Sequence, residues 1–299
     1  TIVNSLITQK FGSRFSLALC LEDTIADHHV KEAEDALIRS LKTLSKLSTK
    51  QNFYIPKIFI RVRNSGQIPE LLERLGDARQ LVTGFNIPKF CLEYADEYID
   101  AVVQANKLYG QKIYMMPIFE NAELINLQKR RQILYTLKEK LDAIEELVLN
   151  IRVGGNDLCH VFGFRRSACE SIHDIKPISN IFADIITVFG TDYVISGPVW
   201  EYYTGDNWDK GLMRELSEDR LNGFVGKTVI HPNQIALVNA AYQVSSKDLA
   251  DARSILNWNP QTGSLVSGSI SGERMNERKT HFHWAEKILM LAEVYGVRE

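Results

Sequence analysis

Seven short apolar, β-rich runs punctuate the chain, and most of the stretches between them are longer and polar or helix-patterned. The runs are Phe15–Leu21, Lys57–Val62, Leu81–Ile87, Ile113–Phe119, Leu147–Val153, Tyr193–Ser196 and Val225–Ile230. This alternation restricts the fold more than any other feature. A strand followed by a helix and another strand returns to the sheet parallel to the first, so repeated βα units build a parallel sheet. Most of the runs are continuously apolar rather than alternating, as expected of strands covered on both faces. Between them, Val30–Leu47 places Val30, Ala33, Leu37, Leu41 and Leu44 at a helical period, and Gln128–Leu149 reads as one long charged helix. Asp248–Leu256 and Thr280–Tyr295 are further helices, the second with Trp284, Ile288, Leu291 and Val294 on one face.

A closed parallel barrel takes eight strands, one more than the runs supply. Thr1–Phe11 reads as a helix with no strand before it, which points to a (β/α)₈ TIM barrel whose first strand is missing from this chain. The segment Asn257–Gly272 is rich in Asn, Pro, Gly and Ser and reads as a linker. The expected division is therefore a barrel with flanking helices over 1–256, then a linker and a C-terminal helical arm over 257–299.

With 299 residues and 45% hydrophobic content, the chain buries a substantial core. A net charge of −2 with scattered basic residues argues against a nucleic-acid surface or a polybasic membrane patch. No apolar run reaches the ~18–20 residues of a membrane helix, and no signal peptide is visible at the start. The cysteines, Cys20, Cys91, Cys159 and Cys169, form neither a C-x-x-C pair nor a zinc-finger spacing. A reducing, cytoplasmic setting is the expectation.

In a parallel barrel, chemistry gathers at the C-terminal ends of the strands. Those ends carry Glu22 and Asp23, Arg61 and Arg63, Lys89, Glu120, Asp157, Pro198 and His231 in turn. Glu120 and Asp157 follow adjacent strands, so the two carboxylates come within reach of one cation; with waters and a substrate oxygen they make a Mg²⁺ shell. Asp157 also suits a helix N-cap. Arg61 and Arg63 share one strand parity and suit a carboxylate, phosphate or enolate oxygen, or an ion pair with Glu22 or Asp23. Glu22 and Asp23 are candidates for acid/base work or for holding Arg61. Lys89 points into the site or merely ends a strand. Arg165 and Arg166 offer a further anion site or a solvated surface. Gly226-Lys227-Thr228 is not a phosphate loop: Leu221 stands where the first glycine belongs, and a strand follows.

The ordered set Leu21-Glu22-Asp23, Phe59-Ile60-Arg61, Pro88-Lys89, Pro117-Ile118-Phe119-Glu120, Gly155-Asn156-Asp157-Leu158 and Gly226–Ile235 resembles the citrate lyase β-subunit/aldolase superfamily. The branch it is most similar to is the C–C bond lyases of TIM-barrel fold found with tellurium-resistance gene clusters. The features of that branch are Arg61-Val62-Arg63, Gly154-Gly155-Asn156-Asp157, Phe164-Arg165-Arg166, Ser196–Glu201 and His281–Ala285. The resemblance implies Mg²⁺ held by Glu120 and Asp157, a 2-oxo acid or acyl thioester chelating it, and Arg61 beside the enolate oxygen. It also implies a homo-oligomer, a trimer or a multiple of one, with the C-terminal arm over a neighbour. Two departures stand out. Cys20 replaces the first Asp of the family's Asp-Leu-Glu-Asp, and Asn276 stands where relatives carry a catalytic Asp. An amide is no general base, which argues against coenzyme A thioester chemistry.

Three functions follow in order of preference. The first is a Mg²⁺-dependent carbon–carbon bond lyase on a small anionic 2-oxo acid, acyl thioester or phosphorylated substrate. The second is a biosynthetic enzyme of different chemistry on a phosphorylated ligand, and the third a non-catalytic barrel scaffold.

Overall fold

In the computed structural model, residues 2–259 and 263–299 are described. They fall into two units, one up to Ile235 and one over Ala236–Glu299. The first unit repeats strand and helix: α1 (Ile2–Ile7), β1 (Leu17–Cys20), α2 (Val30–Ser48), β2 (Ile58–Arg61), α3 (Gln67–Leu75), β3 (Val82–Ile87), α4 (Ala95–Tyr109) and β4 (Tyr114–Phe119). It continues with α5 (Leu127–Asp142), β5 (Ile151–Val153), α6 (Gly155–Phe162), α7 (Lys176–Phe189), β6 (Ile195–Ser196) and α8 (Trp208–Leu221). Helix α9 (Asn233–Tyr242) leads into the second unit.

Strands β1 to β6 form one sheet in sequence order, every neighbour parallel. The expected barrel-type sheet is therefore present. The helical layer is apolar for a plain reason: α2 turns Leu37, Ile38, Leu41 and Leu44 inward, α3 turns Ile68, Leu71 and Leu72, and α7 turns Ile178, Ile181, Phe182 and Ile185. These pack on one parity of the strands: Ile58 and Ile60, Phe85 and Ile87, Met115 and Phe119, Ile151 and Val153, and Ile195. Successive strand side chains face opposite sides. Cys20, Phe59 and Arg61, Asn86, Met116 and Ile118, Arg152, and Ser196 therefore line the inner side.

Several elements differ from expectation. The seventh run, Val225–Ile230, does not form a regular strand. It touches β6 through a single bridge, Gly197 to Lys227, and through backbone bonds from Val225 N to Ile195 O (2.7 Å) and Gly197 N to Gly226 O (3.0 Å). Gly226 has φ +75°, which breaks the extended run. Among the described residues, no strand pairs with the other edge of β1. Of the expected N-terminal helix, Thr1 lies outside the described residues and Ile2–Ile7 is helical. The long helix expected over Gln128–Leu149 stops at Asp142, because Leu149 N already bonds Met115 O (3.0 Å) to start β5.

The second unit contains β7 (Val244–Ser245), α10 (Ser246–Leu256), β8 (Val266–Gly268), β9 (Met275–Glu277), α11 (Phe282–Tyr295) and β10 (Val297–Arg298). The compact units meet at 235/236, whereas the expected division followed residue 256. Helix α10 shares a core with α11 through Val244, Ala252, Ile255, Ala285 and Ile288, so it belongs with the C-terminal segment. Arg274 clamps the hairpin to α10 through Asp248 (2.7 Å) and Asp251 (2.8 Å). Within the expected linker, residues 260–262 lie outside the described ones, and β8 pairs antiparallel with β9.

Candidate active site

Arg61, the last residue of β2, collects the inward-facing carboxylates at the sheet's C-terminal end. Its Nη2 lies 2.7 Å from Glu22 Oε2, 3.1 Å from Glu120 Oε1 and 3.5 Å from Asp23 Oδ2. The Glu22 contact is an ion pair by distance without hydrogen-bond alignment, and Glu22 Oε2 and Arg61 Nε are both buried without a hydrogen-bond partner. Asn86 Oδ1, on the strand beside Arg61, is buried and unpartnered as well. A cluster of sealed polar atoms of this kind is costly unless a ligand or water engages it.

Lys89 completes the cluster. Its Nζ sits 2.5 Å from Glu22 Oε1 and 3.0 Å from Asp23 Oδ1, and its backbone N–H donates to Glu120 Oε1 at 3.0 Å. To make both contacts, Lys89 adopts φ +48°, a left-handed backbone that costs a non-glycine residue energy and tends to occur where function requires it. Burial alone would lower the Lys89 pKa; the Glu22 and Asp23 hydrogen bonds and charges raise it above its ordinary value. Burial pushes Asp23 up, yet its bonds to Glu22 and Lys89 hold it below the usual carboxylate range. Lys89 is thus a charged anchor and not a free amine nucleophile.

Glu120 is 5% exposed. Its Oε1 accepts from Arg61 and Lys89, whereas Oε2 accepts neither of those bonds. Oε2 lies against Gly154, where an added Cβ would sit 2.1 Å from it. Glycine is therefore required at 154 for close approach, its φ of −106° being open to any residue. Burial raises the Glu120 pKa; Arg61 opposes this, Asp157 adds to it, and the result is about 7. Asp157 lies in the first turn of α6, half-buried; the helix is capped by Gly154, so Asp157 is not the cap.

Among the described residues, no three His, Cys, Asp or Glu side chains form a ready metal cage. Two hard carboxylates that repel each other, one with an oxygen outside the Arg61 and Lys89 bonds, are nonetheless a donor set that a Mg²⁺ ion fits when water and substrate oxygens complete it. A cation there would relieve the repulsion that raises Glu120.

Other sequence candidates go elsewhere. Arg63 leaves the cluster because β2 ends at Arg61 and strand parity lapses. Its guanidinium bonds Ile25 O (2.9 Å) and Asp27 Oδ1 (2.5 Å), pinning the loop that carries Glu22 and Asp23. Arg165 is 78% exposed and, among the described residues, pairs with Glu201 at 3.4 Å. Arg166 is buried: it donates to Val199 O (2.5 Å) and lies 3.1 Å from Glu215 Oε2. Both arginines line a separate pocket of about 270 Å³ with Asn156, His160, Phe164 and Glu201. Pro198 is buried against the start of α6, near Gly155.

Two features were not read from sequence. Lys227 is sealed between Glu215 (2.8 Å) and Asp219 (2.7 Å), and His173 Nε2 lies 2.8 Å from Asp219. This buried network joins α8 to the seventh segment. The i, i+4 spacing of Glu215 and Asp219 was the available signal. The second is Arg152, in the middle of β5, whose Nη2 donates to Thr228 Oγ1. Its signal was a lone charge inside an apolar run.

Among the described residues, no helix is long and apolar enough to cross a membrane. Solved structures share this architecture at low identity. A citrate lyase from Burkholderia xenovorans LB400 is 15% identical with a TM-score of 0.74, covering 99% of this chain and 89% of its own. The protein CitE from Mycobacterium tuberculosis, in complex with magnesium, acetoacetate and coenzyme A, is 18% identical with a TM-score of 0.57, covering 93% and 90%. A malate synthase from Haloferax volcanii with magnesium and glyoxylate is 13% identical with a TM-score of 0.54, covering 75% and 64%. No curated protein matches the chain. The model of one family, described as C–C bond lyase of the TIM-barrel fold, matches residues 1–297, and the chain belongs to that family.

Proposed function

We propose that the protein is a Mg²⁺-dependent carbon–carbon bond lyase that cleaves between the α- and β-carbons of a small anionic 2-oxo acid or related acyl substrate, leaving an enolate. The observation that carries this reading is the Arg61–Glu120 pair beside Gly154 and Asp157. A guanidinium and a two-carboxylate donor set meet at the end of the sheet, beside buried polar atoms that lack partners. The structurally similar CitE, in complex with magnesium, acetoacetate and coenzyme A, and the malate synthase in complex with magnesium and glyoxylate support it.

Glu120 and Asp157 would hold the ion, which supplies Lewis-acid stabilisation of a developing oxyanion. Arg61, paired with Glu22, would face the same oxygen. In the cleavage direction, a carboxylate would take the proton of the substrate's β-hydroxyl as that carbon becomes a carbonyl and departs; the bond from it to the α-carbon breaks, and the electron pair is delocalised as an enolate onto the carbonyl oxygen that Arg61 would face. Asp23, with 53% of its side chain exposed, is the acidic group open to solvent that would take the proton. Asn276, buried in the β8–β9 hairpin, is an amide.

Exposed apolar residues on the C-terminal unit, Leu265, Ile270, Met275, Met290 and Val294, support the reading that it packs on a neighbouring subunit of a homo-oligomer.

The enolate step has a substrate-independent test: exchange of pyruvate methyl protons in D₂O, followed by NMR. Wild type with Mg²⁺ should accelerate exchange, and Arg61→Lys and Glu120→Gln should abolish the acceleration. Exchange at the buffer rate in the wild type would refute the enolate mechanism.

A further inference from the structure

Arg152 is an inward-facing cation with no ion-pair partner among the described residues. Arg61 and Lys89 are consumed by Glu22, Asp23 and Glu120, and Arg166 and Lys227 by Glu201, Glu215 and Asp219. Among the described residues, no carboxylate lies within ion-pair distance of Arg152; its hydrogen bond goes to the neutral hydroxyl of Thr228. A guanidinium offers five N–H donors. Arg152 is half-buried on the inner side of the sheet, and burial holds its pKa below the ordinary arginine value, at about 10. In register, Arg152 pairs with Ile118 on β4 and Ser196 on β6, and Ile118 is two residues before Glu120. It therefore lies one inward layer below the Glu120 carboxylate. Thr228, on the seventh segment beyond β6, fixes the direction in which the guanidinium lies. A cation without an ion-pair partner inside a barrel is expensive and is retained where an anion arrives to meet it.

We infer that Arg152, steadied by Thr228, receives a second anionic group of the substrate, so that the enzyme takes a dianion: a 2-oxo acid with a second carboxylate or a phosphate. This rests on the lyase reading above, and it assigns Arg152 to specificity. Arg61 and the metal would hold the reacting end; Arg152 would hold the far end.

The test is calorimetric titration with Mg²⁺ present, comparing pyruvate with oxaloacetate and with 2-oxoglutarate, which carry the same head and a second carboxylate. In the wild type at least one dianion should bind about 10- to 100-fold tighter than pyruvate, the range of one charge-assisted contact. Arg152→Gln should remove that advantage, weakening the dianion by about 10-fold or more relative to pyruvate. Arg152→Lys should retain part of it, and Thr228→Val should weaken the dianion less than Arg152→Gln does. Arg152→Gln should unfold at the same temperature as the wild type or higher, since it deletes a charge without an ion-pair partner. Equal binding of mono- and dianions by the wild type, equal weakening of both by Arg152→Gln, or a Arg152→Gln protein that does not fold would overturn the inference. Mg²⁺ titrated alone reports separately on Glu120 and Asp157. If it does not bind, the lyase reading fails. The dianion preference is then read without metal, as the thermal shift from malonate against acetate in wild type and Arg152→Gln.

Discussion

Glu120→Gln should make the metal-free protein more stable as pH rises, relative to the wild type. In the folded chain the Glu120 pKa stands at about 7 against a reference of 4.5. A raised folded value means that the proton stabilises the native state. That contribution is whole below the reference value and is lost as pH climbs through about 7. The difference of some 2.5 units corresponds to about 3 kcal/mol, at roughly 1.4 kcal/mol per unit. Glutamine keeps the carbonyl that accepts from Arg61 and Lys89 but has no charge to desolvate. Urea unfolding of both proteins at pH 4.5 and pH 8.5, without divalent ions, measures the effect. The stability difference between variant and wild type should move by about 3 kcal/mol in favour of the variant between the two pH values. Adding Mg²⁺ at pH 8.5 should stabilise the wild type and not the variant, since an ion that binds only the folded state adds to its stability. A difference that stays flat with pH would show that Glu120 is not held in a desolvated, repelled state, and the argument for a cation beside it would fall.

Two further substitutions probe the support of the site. Gly154→Ala puts a Cβ 2.1 Å from Glu120 Oε2 at a φ that alanine tolerates. Overpacking should cost about 1–3 kcal/mol in urea unfolding, and a ligand displaced by about 1 Å should weaken Mg²⁺ on the order of 10²-fold; unchanged calorimetry would contradict the close approach. Lys227→Ala leaves Glu215 and Asp219, both fully buried, without their shared cation. Unfolding should show a loss of about 3–5 kcal/mol, and a loss under about 1 kcal/mol, the size of a surface pair, would mean that the network is not a buried one.

Strand positions were legible because burial on both faces leaves continuous apolar runs, and Ile58, Phe59 and Ile60 carry that imprint. Arg61, Glu120 and Asp157 were legible because polar residues at successive strand ends must converge. Arg63 misled because parity predicts direction only while the strand lasts, and β2 ends at Arg61. Arg166 and Lys227 were ambiguous because a basic residue near a glycine looks the same whether it meets a ligand or a carboxylate buried on a distant helix. The seventh strand was overread from Val229 and Ile230, since the positive φ of Gly226 outweighs their β propensity. The domain boundary was set by composition, whereas packing joins α10 to α11 across the Ser- and Gly-rich segment.

The most direct test of a metal-dependent enolate mechanism is calorimetric titration of Mg²⁺ into wild type, Glu120→Gln and Asp157→Asn, with and without pyruvate. The mechanism requires binding in the wild type that tightens with pyruvate and with rising pH through about 7, and that is lost in both variants. Binding that is absent in the wild type, or indifferent to both substitutions, would contradict it.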